Sequence, residues 1–168
     1  MEYFLLLPDQ RIVNPLSFTA QESDLRAEQP YAMSTETTSN TVVVDFIIKR
    51  IVFNSYFFVA DELMKVLGMY DENIDFMPIC VINQNQSIQK VYWQTDIAEE
   101  TKDAVANKFT EVSAMQVYEK ALKGKPIHRI HYEKQVYILV NHCVAESILR
   151  RLPVGIWLQE VKVLREVA

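Results

Sequence analysis

Residues 137–163 pass from an alternating apolar stretch through an amphipathic segment and a Pro153–Gly155 break into a second alternating stretch. That order spells strand, helix, turn, strand. Val144, Ile148 and Leu152 recur at four-residue spacing with Ala145 and Leu149 beside them, so one stripe of the helix is apolar. Asn141 is placed to cap its first turn through the side-chain oxygen. Pro153 disfavours helical geometry at Leu152, and Gly155 permits the turn into the strand that follows. An echo lies upstream. Residues 59–67 align without a gap on residues 144–152, with all but two pairs (Glu62 with Ser147, Val66 with Arg151) alike in character. In the earlier copy Leu63, Met64 and Leu67 form the inner stripe, Gly68 suits the C′ position, and residues 74–82 supply the strand. The match is consistent with a helix–strand duplication or with two segments obeying the same patterning rules.

The expected fold is α+β: a mixed, largely antiparallel sheet with two main amphipathic helices, at about 59–69 and 142–152, packed on it. A chain of 168 residues is one domain's length, and 49% hydrophobic residues suffice for a core. No apolar run reaches the length of a membrane span, and Glu2 stands where a signal peptide carries positive charge. Cys80 and Cys143 lie in apolar contexts far apart, which suggests buried free thiols and a cytoplasmic setting.

Along the chain, residues 2–7 read as a first strand, residues 11–18 as extended, and residues 19–41 as a polar loop or insert. Residues 42–48 are β-branched and nearly continuously apolar, as a buried strand should be, and residues 50–58 are extended and aromatic. Residues 83–87 have turn chemistry, and residues 91–95 return as the hairpin partner. Residues 98–109 suit a short helix or an acidic loop. Met115, Tyr118, Ala121 and Leu122 have helical spacing over residues 113–123, with Gly124 to cap the end, although Val117 and residues 127–130 also suit strands. Residues 134–140 alternate as a strand with Val136, Ile138 and Val140 on one face.

The net charge of −5 argues against a general nucleic-acid binder. Acidic residues gather in two segments. Asp61, Glu62, Asp71, Glu72 and Asp75 face only Lys65, and Asp96, Glu99, Glu100 and Asp103 face only Lys102. A basic stretch follows, with Lys120, Lys123, Lys125, Arg129 and Lys134. Such acidic segments either form solvated faces or steer a basic partner.

Signatures of known chemistry are missing from the sequence: no glycine-rich phosphate loop, no GxSxG and no HExxH occurs. His128 and His131 fall on opposite faces of one expected strand, which is wrong for a shared metal. His142 beside Cys143 could be a ligand or nucleophile pair, with no third group fixed by spacing. Tyr92 and Trp93 could stack on a base, but neighbouring strand aromatics more often pack in a core. These residues support no catalytic, cofactor or metal assignment.

The runs Phe57-Phe58-Val59-Ala60-Asp61-Glu62-Leu63, Asp75-Phe76-Met77-Pro78, Tyr92-Trp93, Val144 through Arg151, and Gly155-Ile156 resemble a family of small bacterial proteins. That family is grouped with candidate immunity proteins of polymorphic toxin systems. The similarity spans roughly residues 51–163, and its motifs are structural signatures of the helix–strand units. Ala60 stands where the family often has a serine cap, and no catalytic residue carries over. The resemblance implies an interaction protein that binds and neutralises a cognate toxin domain. Asp71, Glu72, Asp75, Glu99 and Glu100 would then be the natural face for a basic toxin. An enzyme with a site assembled around His142 and Cys143, or a self-associating structural or regulatory subunit, are the alternatives. A homo-oligomer is compatible with either protein-binding reading.

Overall fold

A computed structural model describes residues 1–26, 29–51, 54–83, 85 and 87–165. Parts of the expected insert (27–28), of the extended stretch (52–53) and of the turn (84 and 86) lie outside these residues. The elements run β1 (Tyr3–Pro8), α1 (Glu22–Leu25), β2 (Tyr31–Ser34), β3 (Phe46–Ile51), β4 (Asn54–Val59), α2 (Asp61–Tyr70), β5 (Asp75–Asn83) and β6 (Ile88–Asp96). A 3₁₀ turn at Val112–Ala114 precedes β7 (Gln116–Tyr118) and α3 (Glu119–Leu122). Then come β8 (Ile127–Tyr132), β9 (Gln135–Asn141), α4 (His142–Leu149) and β10 (Ile156–Leu164).

The protein is α+β, and the strands form two mixed sheets rather than the single sheet expected. Their orders are β7-β10-β1-β9-β8 and β2-β5-β6-β4-β3, each antiparallel except for one parallel edge pair, β7 with β10 and β2 with β5. Strand alternation explains the layering. Phe57 and Val59 of β4 share a central cluster with Ile138 and Val140 of β9, while Phe58 and Leu139 point away into separate outer clusters. Leu63, Val66 and Leu67 of α2 and Val144, Ala145 and Ile148 of α4 fill the same central cluster. The outer face of the second sheet is covered by Leu16, Phe18 and Leu25, and that of the first by Ala104, Met115 and Leu122.

The two sheets repeat one design. In each, a hairpin leads into a helix and then into a strand flanked by a parallel edge strand. The hairpin β3–β4 pairs Phe46 with Val59, and β8–β9 pairs Ile127 with Val140, each 81 residues on. Hydrogen bonds recur at the same offset. Ala60 N donates to Asp45 O at 2.9 Å, and Asn141 N donates to Pro126 O at 2.8 Å. The buried Tyr92 hydroxyl donates to Val44 O, and the buried Tyr3 hydroxyl to Lys125 O. The strand beside the helix-linked one is β6 in the first half, whereas β1, from the start of the chain, fills that place in the second. One extra residue precedes β10, so Ile79, opposite Tyr92, corresponds to Val161, opposite Tyr3.

This correspondence corrects the repeat register read from sequence. Residue 59 matches 140 and not 144. The slip of four residues is close to one helical turn, so it leaves the apolar stripe in place and hides the error. Asn141 caps α4 as expected, its Oδ1 accepting from Val144 N at 3.0 Å. Helix α2 begins at Asp61 and ends at Tyr70, so Gly68 lies inside it and is not its cap. Helix α4 ends at Leu149, ahead of the expected 152, and Leu152 takes a left-handed conformation before Pro153. Gly155, also left-handed, lets the backbone close on Val44, whose side chain a Cβ there would overlap. Residues 113–123 do not form one helix; a 3₁₀ turn, β7 and α3 divide them. Residues 98–109 form no helix, and the strand expected at 42–48 starts only at Phe46. No helix among the described residues is long and apolar enough to cross a membrane.

Candidate functional site

Helix α2 delivers a chain reversal at its C-terminal end that holds three of the acidic residues singled out above. Asp71 is its C-cap, and Asp71 Oδ1 accepts from Asn73 N at 3.0 Å, which tightens the turn. Glu72 is exposed beside it, and Asp75 opens β5 directly opposite Asp96 of β6. Among the described residues none of these four carboxylates is in an ion pair. Their placement opposes local stability twice. Asp71 and Glu72 sit at the negative end of the helix dipole, with no basic residue in the last turn. Asp75 and Asp96 place like charges on adjacent strands. Met69, 66% exposed, adds an apolar side chain two residues before Asp71.

Glu99 and Glu100 belong elsewhere. Glu99 Oε2 lies 3.4 Å from Lys125 Nζ, and Glu100 Oε1 lies 3.9 Å from His131 Nδ1. Both border a polar groove of about 930 Å³ that also gathers Lys102, Lys123 and Arg129. The acidic residues singled out in the sequence thus fall in two separate settings. The structure brings together Asp71, Glu72, Asp75 and Asp96, whereas Glu99 faces Lys125 and Glu100 faces His131.

His128 lies beneath that groove and is buried. Its Nε2 donates to Lys125 O at 2.9 Å, and in the neutral ring that leaves Nδ1 to accept from Thr101 Oγ1 at 2.7 Å. Burial pushes its pKa down, and nearby Lys125 adds to the effect, while the bond to the Lys125 carbonyl opposes it. His131, three residues along, points to the opposite face and is exposed, as the spacing implied.

His142 and Cys143 do not converge. His142 Nδ1 lies 3.4 Å from Glu2 Oε2, and Nε2 lies 3.8 Å from Glu146 Oε2. Cys143 is exposed rather than buried, and its carbonyl accepts from the Tyr70 hydroxyl. Cys80 is partly buried, and both thiols are free. Tyr92 is a core residue, and the Trp93 indole N–H donates to Asp61. Among the described residues no group of three or more His, Cys, Asp or Glu side chains is placed to hold a metal.

A second concavity escaped the sequence reading. It lies on the first sheet around Trp157 of β10, which is exposed, with the buried Tyr137 of β9 at its base. Neither signal was readable, since Trp157 and Arg11 are far apart in sequence and meet only through the β1–β10 pairing. Comparison with known protein families and with curated proteins returned no match.

Proposed function

We propose that this chain is an immunity-type interaction protein that binds and neutralises a cognate bacterial toxin domain, with its acidic end as the recognition face. The observation that carries this reading is the set Asp71, Glu72, Asp75 and Asp96, without ion pairs among the described residues and held at a helix C-terminus and across a strand pair where charge repulsion costs stability. A basic partner surface offsets both penalties on docking and gains speed of encounter from the field. Met69, exposed on the last turn of the same helix, offers an apolar contact beside these charges. The resemblance of residues 51–163 to candidate immunity proteins supports the same reading, and Glu99 and Glu100 contribute less, being engaged by Lys125 and His131.

The test is co-expression with the product of the adjacent gene, scored by cell survival and then by co-purification. Rescue with a stable complex is expected. The double variant Asp71→Lys, Glu72→Lys should lose rescue without a fall in melting temperature, because cations at the negative end of α2 offset the lost bond from Asn73 N. A harmless neighbour, or a complex indifferent to the charge reversal, would remove the reading's support.

A further inference from the structure

The repeat supplies an internal comparison for every position, and it singles out Trp157. The first half places Asp75 opposite Asp96; the corresponding pair in the second half is Trp157 opposite Leu7. The fold thus accepts an aspartate at this site, yet the chain sets there a tryptophan that remains 42% exposed. Packing alone does not call for it.

Around Trp157 the surface is concave, with a volume of about 620 Å³, within the usual range of small-molecule pockets. Trp157, Tyr137 and Leu7 form its apolar floor. Arg11 lies over the Trp157 ring at 4.8 Å and is held there by two bonds to Asp9, of 3.0 and 2.9 Å. Arg50 lies over the Tyr137 ring at 6.0 Å and has no ion pair among the described residues. Its planar fork is the geometry that takes a carboxylate in two parallel bonds. Glu111 is exposed at the rim, also without an ion pair among the described residues.

We infer that this groove binds a small aromatic carboxylate, with its ring against the exposed part of Trp157 and its carboxylate on Arg50. Two sources share that chemistry. An aromatic acid would use Arg50 alone, and an aromatic amino acid would also offer its ammonium group to Glu111.

The probes are phenylacetate and phenylalanine, read by the two indole N–H signals of the ¹⁵N-labelled protein. The Trp157 signal should move saturably with a Kd of about 1 mM or tighter, an ordinary value for one charge-assisted contact plus one stacked ring. The Trp93 signal should stay in place. Arg50→Gln should weaken binding about tenfold. Trp157→Asp, which copies the first half and so should preserve the fold, should abolish binding by calorimetry. Tighter binding of phenylalanine that Glu111→Gln reverses assigns the amino acid; equal or tighter binding of phenylacetate assigns the simple acid. No saturable shift of Trp157 with either probe, or full affinity in either the Arg50 or the Trp157 variant, overturns the inference.

Discussion

His128 occupies the position that Ile47 fills in the first half, so the fold does not demand an imidazole there. Its two hydrogen bonds instead tie the segment around Thr101 and the turn at Lys125 to β8. Because burial lowers its pKa, the unfolded chain takes up a proton near pH 6.5 that the folded protein still refuses. The stabilisation is therefore complete above about pH 6.5 and falls as the pH drops below it. Urea midpoints measured at pH 7.5 and 5.5 should show this loss. His128→Ile should flatten it in that window, while lowering stability at pH 7.5 by about 1–3 kcal/mol, since the Thr101 hydroxyl loses its partner. An unchanged pH slope in the variant would assign the acid sensitivity to other groups. The opposite facing of His128 and His131 was legible from strand alternation. The burial of one was not, because Thr101 reaches it from 27 positions away.

Each half locks its hairpin with one buried tyrosine, and the two locks differ in redundancy. Val44 O receives the Tyr92 hydroxyl at 2.7 Å, whereas Lys125 O receives both the Tyr3 hydroxyl at 3.2 Å and His128 Nε2 at 2.9 Å. Removing the Tyr3 hydroxyl leaves its acceptor satisfied; removing that of Tyr92 leaves no side-chain donor in its place. Tyr92→Phe should thus cost about 1–2 kcal/mol and Tyr3→Phe less than about 0.5 kcal/mol in urea unfolding. Equal losses would mean that the two locks are equivalent in energy as well as in position. Element type was readable wherever a period was long and clean, as in β9, α2, α4 and β10. It stayed open over residues 113–123, where the helical spacing of Met115 and Leu122 arises from a strand and a short helix in succession, and the strand alternative for Val117 and residues 127–130 is the one that holds. The acidic turn after α2 was legible as charge, but the approach of Asp96 to Asp75 required strand pairing that composition does not reveal.

At the scale of the molecule, the helix–strand echo in the sequence pointed to a real repeat of architecture, yet it could not show that each copy builds its own sheet. Phe57, Phe58 and Val59 are all buried, so β4 reads as a continuous apolar run that fits the middle of one layered sheet as well as the wall between two cores. The structure resolves this by sending Phe57 and Val59 into a cluster that also contains Ile138, Val140 and both main helices. Neither sheet keeps its inner face dry without the other. β1 adds a covalent reason, since the start of the chain sits in the sheet built by its last third. The two sheets should therefore unfold as one unit, and each carries one tryptophan, Trp93 in β6 and Trp157 in β10. Single-tryptophan variants Trp157→Phe and Trp93→Phe let each sheet be followed separately by fluorescence. After correction for each variant's own stability, the two transitions should share a slope and a midpoint. Ile138→Ala, made in the first sheet, should then cost about 2–5 kcal/mol and lower the Trp93 midpoint as far as the Trp157 midpoint. A shift confined to Trp157 would mean that the central cluster joins two independently stable halves, and the repeated units would be folding units in their own right.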